Sequence, residues 1–224
     1  TPLYSSAASD VYKRQGLVET YRETGQLLSK GDYKAGKENG VWEYYKESND
    51  LEYRAHYTIG VKDGLWEQYH DNGQLRMLGN WKAGNMDGVW NYYHENGQLK
   101  RTVGWIDGKQ DGPEESYFEN GQLNFKVAWQ NDDKEGLEEV YYQNGDVKYK
   151  VAYEAGKKYG PEVSYYQNGK INMKLSWIED HKDGISEEFY ENGQLKIREI
   201  WANQVKNGLE AVSYTHLTLP TNRE

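Results

Sequence analysis

The sequence predicts an all-β protein: an elongated repeat array of antiparallel β-hairpins, built from 24-residue units in a meander sheet. Three observations predict this fold: a glycine at one fixed interval, Asn-Gly pairs near the middle of most units, and alternating side chains between the turns. Strict periodicity means that each unit packs mainly against its neighbours rather than around one central core. The glycine column comprises Gly16, Gly40, Gly64, Gly88, Gly112, Gly136, Gly160, Gly184 and Gly208.

The first turn of each unit is predicted from sequences such as Asp71-Asn72-Gly73-Gln74. Asn and Gly tolerate the positive φ angles of a type I′ turn, so this pair is the strongest short-range hairpin signal. A two-residue loop at Asn72 and Gly73 then fixes the strand register. It pairs His70 with Leu75, Gln68 with Met77 and Trp66 with Gly79.

The returning strand and a second turn complete the unit. Leu123, Phe125, Val127 and Trp129 alternate with polar or small residues, as expected for a strand with one buried face. A glycine-rich turn at residues 82–88 leads to the next unit, and we expect glycine to be required there if the backbone is left-handed.

Three further columns keep the same interval and are predicted to stack from unit to unit as packing residues. The first is aromatic: Tyr21, Tyr45, Tyr69, Tyr93, Tyr117, Tyr141, Tyr165 and Phe189. The second is also aromatic: Tyr33, Tyr57, Trp81, Trp105, Trp129, Tyr153, Trp177 and Trp201. The third is aliphatic: Leu27, Leu51, Leu75, Leu99, Leu123, Val147, Ile171 and Leu195.

Composition narrows the classes of function. The chain has 224 residues, 21 Tyr, 8 Trp and no Cys, so aromatic side chains supply the buried area and neither disulfides nor thiolate metal sites can form. No apolar segment is long enough to cross a bilayer. The net charge of -9 argues against nucleic acid or anionic lipid as the main partner, although a local basic stripe is compatible with it.

The repeat pattern stops at both ends. Ser9 and Ser213 stand where aromatic residues are due, and the flanking segments resemble translated sequencing-adaptor read-through. We therefore expect residues 1–15 and 211–224 to be non-native, and the natural gene to extend beyond both. The array is predicted to span residues 16–210, with eight full units and the start of a ninth at Gly208.

These motifs resemble the bacterial variant of the MORN repeat. The pattern Gly-x-Trp-x-x-Tyr-x-x-Asn-Gly-Gln-Leu-Lys, seen in residues 88–100, is followed by Trp105 and a Gly-Lys-x-Asp-Gly turn. The resemblance covers residues 16–210 and implies an array of hairpins. Many bacterial members carry the label of toxin-antitoxin antitoxin, which implies a bound partner protein. The motif identifies the fold specifically but is weak evidence for any particular function.

One aromatic column varies and is the leading candidate for partner contact. Trp42, Trp66 and Trp90 are predicted either to cover small residues across the strand pair or to form an exposed aromatic strip, and we favour the strip slightly. Tyr44 and Tyr92 join this predicted contact surface. The column departs from the Trp-rich pattern later in the chain, so a ligand role does not run its whole length. Its later members are Glu114, Glu138, Glu162 and Ser186.

His70 and His94 occupy equivalent positions beside acidic residues, and we include both in the contact surface. A His pair without a third ligand is weak evidence for a metal, so packing is the favoured interpretation. An acidic stretch in the later units is predicted as a solvated face rather than a calcium site, open to a basic partner. It comprises Glu114, Glu115, Glu138, Glu139, Glu162, Glu187 and Glu188.

The leading functional hypothesis is a non-enzymatic scaffold that binds a partner protein, with an antitoxin-like role as the form implied by the resemblance. A cell-wall or glycan-binding module is the first alternative, although choline- and glucan-binding repeats have a shorter period. A membrane-surface scaffold, implied by the broader family, is disfavoured by the acidic balance. We identify no catalytic residues, no metal ligands and no cofactor site.

Overall fold

The structure, a computed structural model, describes residues 15–207 and the backbone of residues 211–212. The predicted non-native segments and the start of the ninth unit at Gly208 lie outside the described residues, apart from Gln15 and that short backbone piece. Throughout the described part the regular secondary structure is β-strand. Within residues 15–207, no helix has the length and apolar character needed to span a membrane.

The chain divides after Gly121 into two compact parts, each containing several 24-residue repeats. From here on these parts are called the first unit and the second unit, and the 24-residue element is called the repeat. The strands of each unit form an antiparallel meander. The predicted all-β repeat of hairpins is therefore confirmed. The first unit contains β1 (Gly16–Tyr21), β2 (Leu27–Lys34), β3 (Lys37–Tyr45), β4 (Leu51–Thr58), β5 (Val61–Tyr69), β6 (Leu75–Lys82), β7 (Asn85–Tyr93), β8 (Leu99–Ile106) and β9 (Lys109–Tyr117). The second unit contains β10 (Leu123–Gln130), β11 (Asp133–Tyr141), β12 (Val147–Glu154), β13 (Lys157–Tyr165), β14 (Ile171–Ile178), β15 (His181–Lys182), β16 (Gly184–Phe189), β17 (Leu195–Ala202), β18 (Val205–Lys206) and β19 (Ala211–Val212).

The Asn-Gly turn is not the predicted type I′ turn. Gly73 N–H donates to the His70 carbonyl at 3.1 Å, and of the two residues predicted to form the loop, Asn72 and Gly73, only Gly73 has a positive φ, 79°. The Asn72 Oδ1 accepts the Gln74 N–H at 3.0 Å, which holds Asn72 in an ordinary turn conformation. The result is a type I turn followed by a left-handed glycine and a bulge.

This turn shifts the register by one residue at the end of the hairpin. Tyr69 pairs with Leu75, so the predicted pairing of His70 with Leu75 is wrong. Beyond the bulge, the predicted pairs are confirmed: Gln68 with Met77 and Trp66 with Gly79.

The second turn is the one with two left-handed residues. Lys82 pairs with Asn85 around Ala83 and Gly84, whose φ angles are 48° and 87°. These are the signs of a type I′ turn. Glycine is not required there, contrary to our expectation, because the equivalent loop Asn131-Asp132 adopts φ angles of 52° and 74° without one. Short Asn and Asp side chains tolerate this conformation.

The repeating glycine lies inside a strand, where it forms a bulge. Next to β6, the register of β7 jumps from Leu78–Asn91 to Asn80–Asp87, which leaves Gly88 and its successor as extra residues. Next to β8, the register of β7 is regular from Gly88 to Tyr92. Gly88 has a φ of 74°, a conformation that glycine adopts without penalty, and such a bulge bends the strand.

Each unit has two distinct faces. A single row of buried side chains crosses one face, which we call the core face. In the first unit this row includes Trp42, Ala55, Trp90 and Val103; in the second it includes Val127, Val151 and Leu175. The opposite face carries cross-strand ion pairs such as Glu43 with Arg54, and we call it the ladder face.

Large and small residues alternate along the core row of the first unit. Trp42 faces Gly31 and Ala55, while Trp90 packs over Gly79 and faces Val103. A Cβ atom at Gly79 would lie only 2.1 Å from the Trp90 ring. Glycine is therefore needed at this position for close approach of an indole rather than for a positive φ.

Candidate functional site

The predicted exposed Trp strip is not present on the surface. Trp42 and Trp90 are only 2% and 1% exposed, so the exposed-strip interpretation is wrong for both. Their Nε1 atoms donate to the carbonyls of Asp32 and Asn80 at 3.0 and 3.1 Å, beside the bulges of β3 and β7. The alternative interpretation, that these Trp side chains cover small residues, describes their packing. Trp66 is half-buried on the same face.

The aromatic rings of the core face stack against one another. Tyr53 lies between Tyr44 and Trp66, with ring centroids 4.3 and 4.7 Å apart. The Tyr44 hydroxyl donates to Glu38 at 2.9 Å, and burial together with this bond raises the pKa of Tyr44. Because neighbouring rings occupy the flat surfaces of Tyr53, this side chain offers a ligand mainly its edge.

Tyr92, the second tyrosine predicted for partner contact, also faces the core side. The Arg101 guanidinium lies 5.5 Å from its ring centroid, and burial raises the pKa of the Tyr92 hydroxyl. Burial and a cation over one ring face indicate a packing role for this side chain.

His70 and His94 connect consecutive repeats. Their Nε2 atoms lie 2.9 and 3.0 Å from the carbonyl oxygens of Tyr93 and Tyr117, one repeat further along. A carbonyl only accepts, so each imidazole donates from Nε2. In the second unit, the Tyr142 hydroxyl makes the equivalent bond to the Tyr165 carbonyl at 2.7 Å. Each of these three side chains therefore supplies a donor to the next repeat. Among the described residues, no group of three potential ligands could hold a metal ion.

The acidic residues of the later units are only partly solvated. Glu138 lies on the core face and is 5% exposed; the Tyr149 hydroxyl donates to it at 2.7 Å and Lys134 pairs with it. Glu114 is also buried and is bound by Arg101 at 2.6 Å. The predicted solvated face is therefore wrong for these two positions. Buried carboxylates need such partners, because burial penalises an unpaired charge.

Ion pairs cross the strands on the ladder face. Glu43 accepts from both Lys30 and Arg54 at 2.9 Å, and Arg54 also reaches Glu67 at 3.0 Å. The Tyr45 hydroxyl donates to Glu43 at 2.7 Å. Two cations thus share one carboxylate across three adjacent strands.

Stability is expected to depend on the ionisation of Glu43. Burial raises its pKa, but hydrogen bonds from Lys30, Tyr45 and Arg54 outweigh burial and bring the pKa down to about 2. The folded value is below the unfolded one, so the stabilisation is complete above the ordinary value of 4.5 and is lost as the pH falls toward 2. Between those limits we expect wild type to lose about 1–3 kcal/mol more than Glu43→Gln, measured by urea unfolding at a series of pH values. Parallel pH profiles for the two proteins would contradict this.

Sequence reasoning missed an aliphatic column on the ladder face. The residue after each repeating glycine is aliphatic or proline, which is the signal that could have revealed it. In the first unit the column contains Leu17, Val41, Leu65, Val89 and Pro113; in the second it contains Leu137, Pro161 and Ile185. All except half-buried Leu65 are exposed, with Val89 at 59% and Ile185 at 56%. An exposed apolar residue thus recurs in every described repeat except that of Leu65.

The surface also has shallow depressions. One polar depression has a volume of about 410 Å³ and lies at the Asn-Gly end of the first unit, where Lys46, His70 and Arg76 meet acidic side chains. Lys46 is already paired with Asp71 at 2.7 Å, and His70 donates to a backbone carbonyl. Three of its ionisable side chains therefore already have partners within the protein.

Comparison with known sequences identifies the repeat. A family described as "MORN repeat variant" matches seven segments that together make up more than half of the chain. The matched segments are 14–35, 62–83, 86–106, 110–131, 134–155, 158–179 and 182–203. No curated protein matches the chain.

Comparison with solved structures adds no functional argument. S. aureus TarM is 11% identical over 78% of this chain and 22% of the TarM chain, with a TM-score of 0.19. The Tc holotoxin pore of Photorhabdus luminescens is 11% identical over 83% of this chain and 13% of its own chain, with a TM-score of 0.21. The chain therefore spans at most about a fifth of these proteins, and the likeness is too low to carry conclusions.

Proposed function

This chain belongs to the MORN repeat variant family, and we propose that it is a non-catalytic scaffold that binds a partner protein through its ladder face. MORN repeats commonly act as binding modules. The identity of the fold alone does not define a partner, so the argument depends on the surface of this particular chain.

The observation that carries the proposal is the exposed aliphatic column. Packing in the core explains why the buried positions of the core face are Trp. It does not explain why Val41 and Val89 are apolar, because these side chains remain 42% and 59% exposed. Val41 lies on the same face as the charged Glu43, and Val89 lies on the same face as the polar Asn91. Apolar contacts surrounded by charged groups are typical of a protein interface, where burial supplies affinity and charges supply specificity.

An antitoxin-like role is the more specific form of this proposal and depends on the family resemblance. It would require the bound partner to be a toxin. The ladder face suits this role because charged pairs select among partners while the apolar column supplies contact area.

A glycan-binding role is the second candidate, favoured by the aromatic density of the core face. Sugar rings usually stack on open aromatic surfaces, whereas Tyr53 is stacked on both sides. A membrane-surface role is less favoured, because the net charge of -9 opposes anionic lipid.

Changing Val41 and Val89 together to serine is expected to weaken partner binding by at least about tenfold, because both side chains lose apolar contact. The partner is first captured from an extract of the source organism, and its affinity for purified wild type and variant is then measured by calorimetry. Urea unfolding should change little, since both positions are exposed.

Ile106→Ser is the matched control, because Ile106 is 55% exposed but lies at the end of β8, outside the column. It should leave the affinity unchanged. Equal weakening by the control and the double variant would contradict the proposal. Binding to purified polysaccharide that survives the double variant would favour the glycan role instead.

A further inference from the structure

The ladder face of the second unit has a gap in its charge pattern. In the first unit, Glu43 on β3 lies between Lys30 on β2 and Arg54 on β4 and binds both. The equivalent position on β13 is Val163, which lies between Lys150 on β12 and Lys174 on β14. Two cations therefore flank a position where every other described repeat except that of Asn91 supplies a carboxylate.

Neither lysine finds a carboxylate from the described residues within ion-pair distance. Lys150 faces Glu139, but Glu139 is bound by Lys126 at 2.7 Å. On the other side, Lys174 faces Glu187, whose oxygen accepts from Arg198 at 2.9 Å. The row of cross-strand partners that contains Val163 thus has four cations, Lys126, Lys150, Lys174 and Arg198, for the two carboxylates Glu139 and Glu187.

The surroundings of the gap suit an inserted side chain. Strands are about 4.8 Å apart, so Lys150 and Lys174 lie on either side of Val163 at a spacing that one carboxylate can bridge. Val163 is half-buried and Lys174 is exposed, while Pro161 of the aliphatic column is exposed two residues earlier on the same face. Val163 thus offers an apolar floor between two lysines, of which Lys174 also places its ammonium 5.8 Å from the centroid of the Phe189 ring.

We propose that Lys150 and Lys174 form a clamp for the carboxylate of an Asp or Glu side chain in an acidic segment of the partner protein. This inference rests on the proposed function and names the chemistry of its partner. The ligand class follows from the repeat itself, because Glu43 occupies the equivalent place with a carboxylate. The adjacent exposed Pro161 favours a peptide, which can contact it, over a free anion.

Val163→Glu is the most direct test, because the new carboxylate would lie between Lys150 and Lys174 and pair with them in place of the peptide. The probe is an acetylated hexaglutamate peptide, titrated into the full chain at low salt and monitored by calorimetry. We expect wild type to bind it, Lys150→Ala and Lys174→Ala each to weaken binding by about tenfold, and Val163→Glu to weaken it by at least that factor. Val163→Thr, which adds no charge, is the matched control and should bind as wild type does.

Urea unfolding checks that these variants fold. Val163→Glu should be at least as resistant as wild type, because its new carboxylate meets two lysines. If wild type fails to bind the peptide, or Val163→Glu binds it as well as wild type does, the clamp is overturned. If inorganic phosphate or phosphatidylserine vesicles bind the same lysines as tightly as the peptide does, the assignment to a protein carboxylate is overturned.

The two proposals fail separately. The clamp lies in the second unit, so Val41→Ser with Val89→Ser should leave peptide binding unchanged. Partner binding that is lost in this double variant but retained in Val163→Glu would overturn the clamp and leave the proposed function standing. If the peptide binds through the lysines but the double variant keeps its full affinity for the partner, the proposed role of the aliphatic column is overturned.

Discussion

Trp90→Ala is expected to lower the free energy of unfolding by about 3–5 kcal/mol. The Trp90 side chain is 1% exposed, packs over Gly79 and donates its Nε1–H to the Asn80 carbonyl at 3.1 Å. Alanine would leave a cavity and would also leave that carbonyl without its indole donor. Urea unfolding followed by circular dichroism measures the loss.

Two comparisons make the Trp90 result specific. Trp90→Phe should lose less, because a smaller aromatic side chain still fills part of the space. Tyr159→Ala changes an aromatic residue that is 48% exposed and should lose little. A loss below about 1 kcal/mol for Trp90→Ala would show that the row on the core face does not hold the first unit together.

Gly79→Val is expected to lower the free energy of unfolding by about 3 kcal/mol through overpacking. A Cβ at this position would lie 2.1 Å from the Trp90 ring, and the backbone φ of Gly79 is not in the left-handed region. The cost should therefore come from the indole and not from backbone strain.

A double-mutant cycle tests that origin. In the Trp90→Ala background, Gly79→Val should cost much less, with an interaction energy of about 1–3 kcal/mol between the two changes. The new side chain would then occupy space that the indole has left. An equal loss in both backgrounds, measured by the same urea titration, would place the strain elsewhere.

The hairpins and most of their register could be predicted because local signals determine them. The fixed interval and the alternation of apolar residues are visible in the sequence, and Gln68 with Met77 follows from the turn position alone. The turn type could not be assigned in this way. Asn-Gly suits both a type I′ turn and a type I turn with a bulge, and the Asn72 contact with the Gln74 N–H decides between them.

Burial of the variable Trp column depends on features that alternation does not reveal. Gly88 introduces a bulge that is visible only from the pairing of β7 with both neighbours, and Trp90 reaches a carbonyl beside that bulge. The pattern placed Trp90 on the correct strand, but the direction of bending determines whether such a residue is covered or open.

The candidate sites could be predicted only in part, for two different reasons. His70 bonds a backbone carbonyl in the next repeat, and backbone acceptors have no signature in a sequence. By contrast, the aliphatic column that contains Val89 was visible as a repeated Val, Leu, Ile or Pro. Such residues are ordinary in strands, so only their exposure distinguishes them.

We propose that the core face stabilises the fold while the ladder face binds the partner. The direct test is the affinity of the captured partner for Val41→Ser with Val89→Ser, measured beside that of Trp90→Phe under conditions in which both remain folded. We expect the affinity to fall by at least about tenfold for the ladder-face variant and to change by no more than about twofold for the core-face variant. Full affinity in the ladder-face variant, with loss in Trp90→Phe, would contradict it.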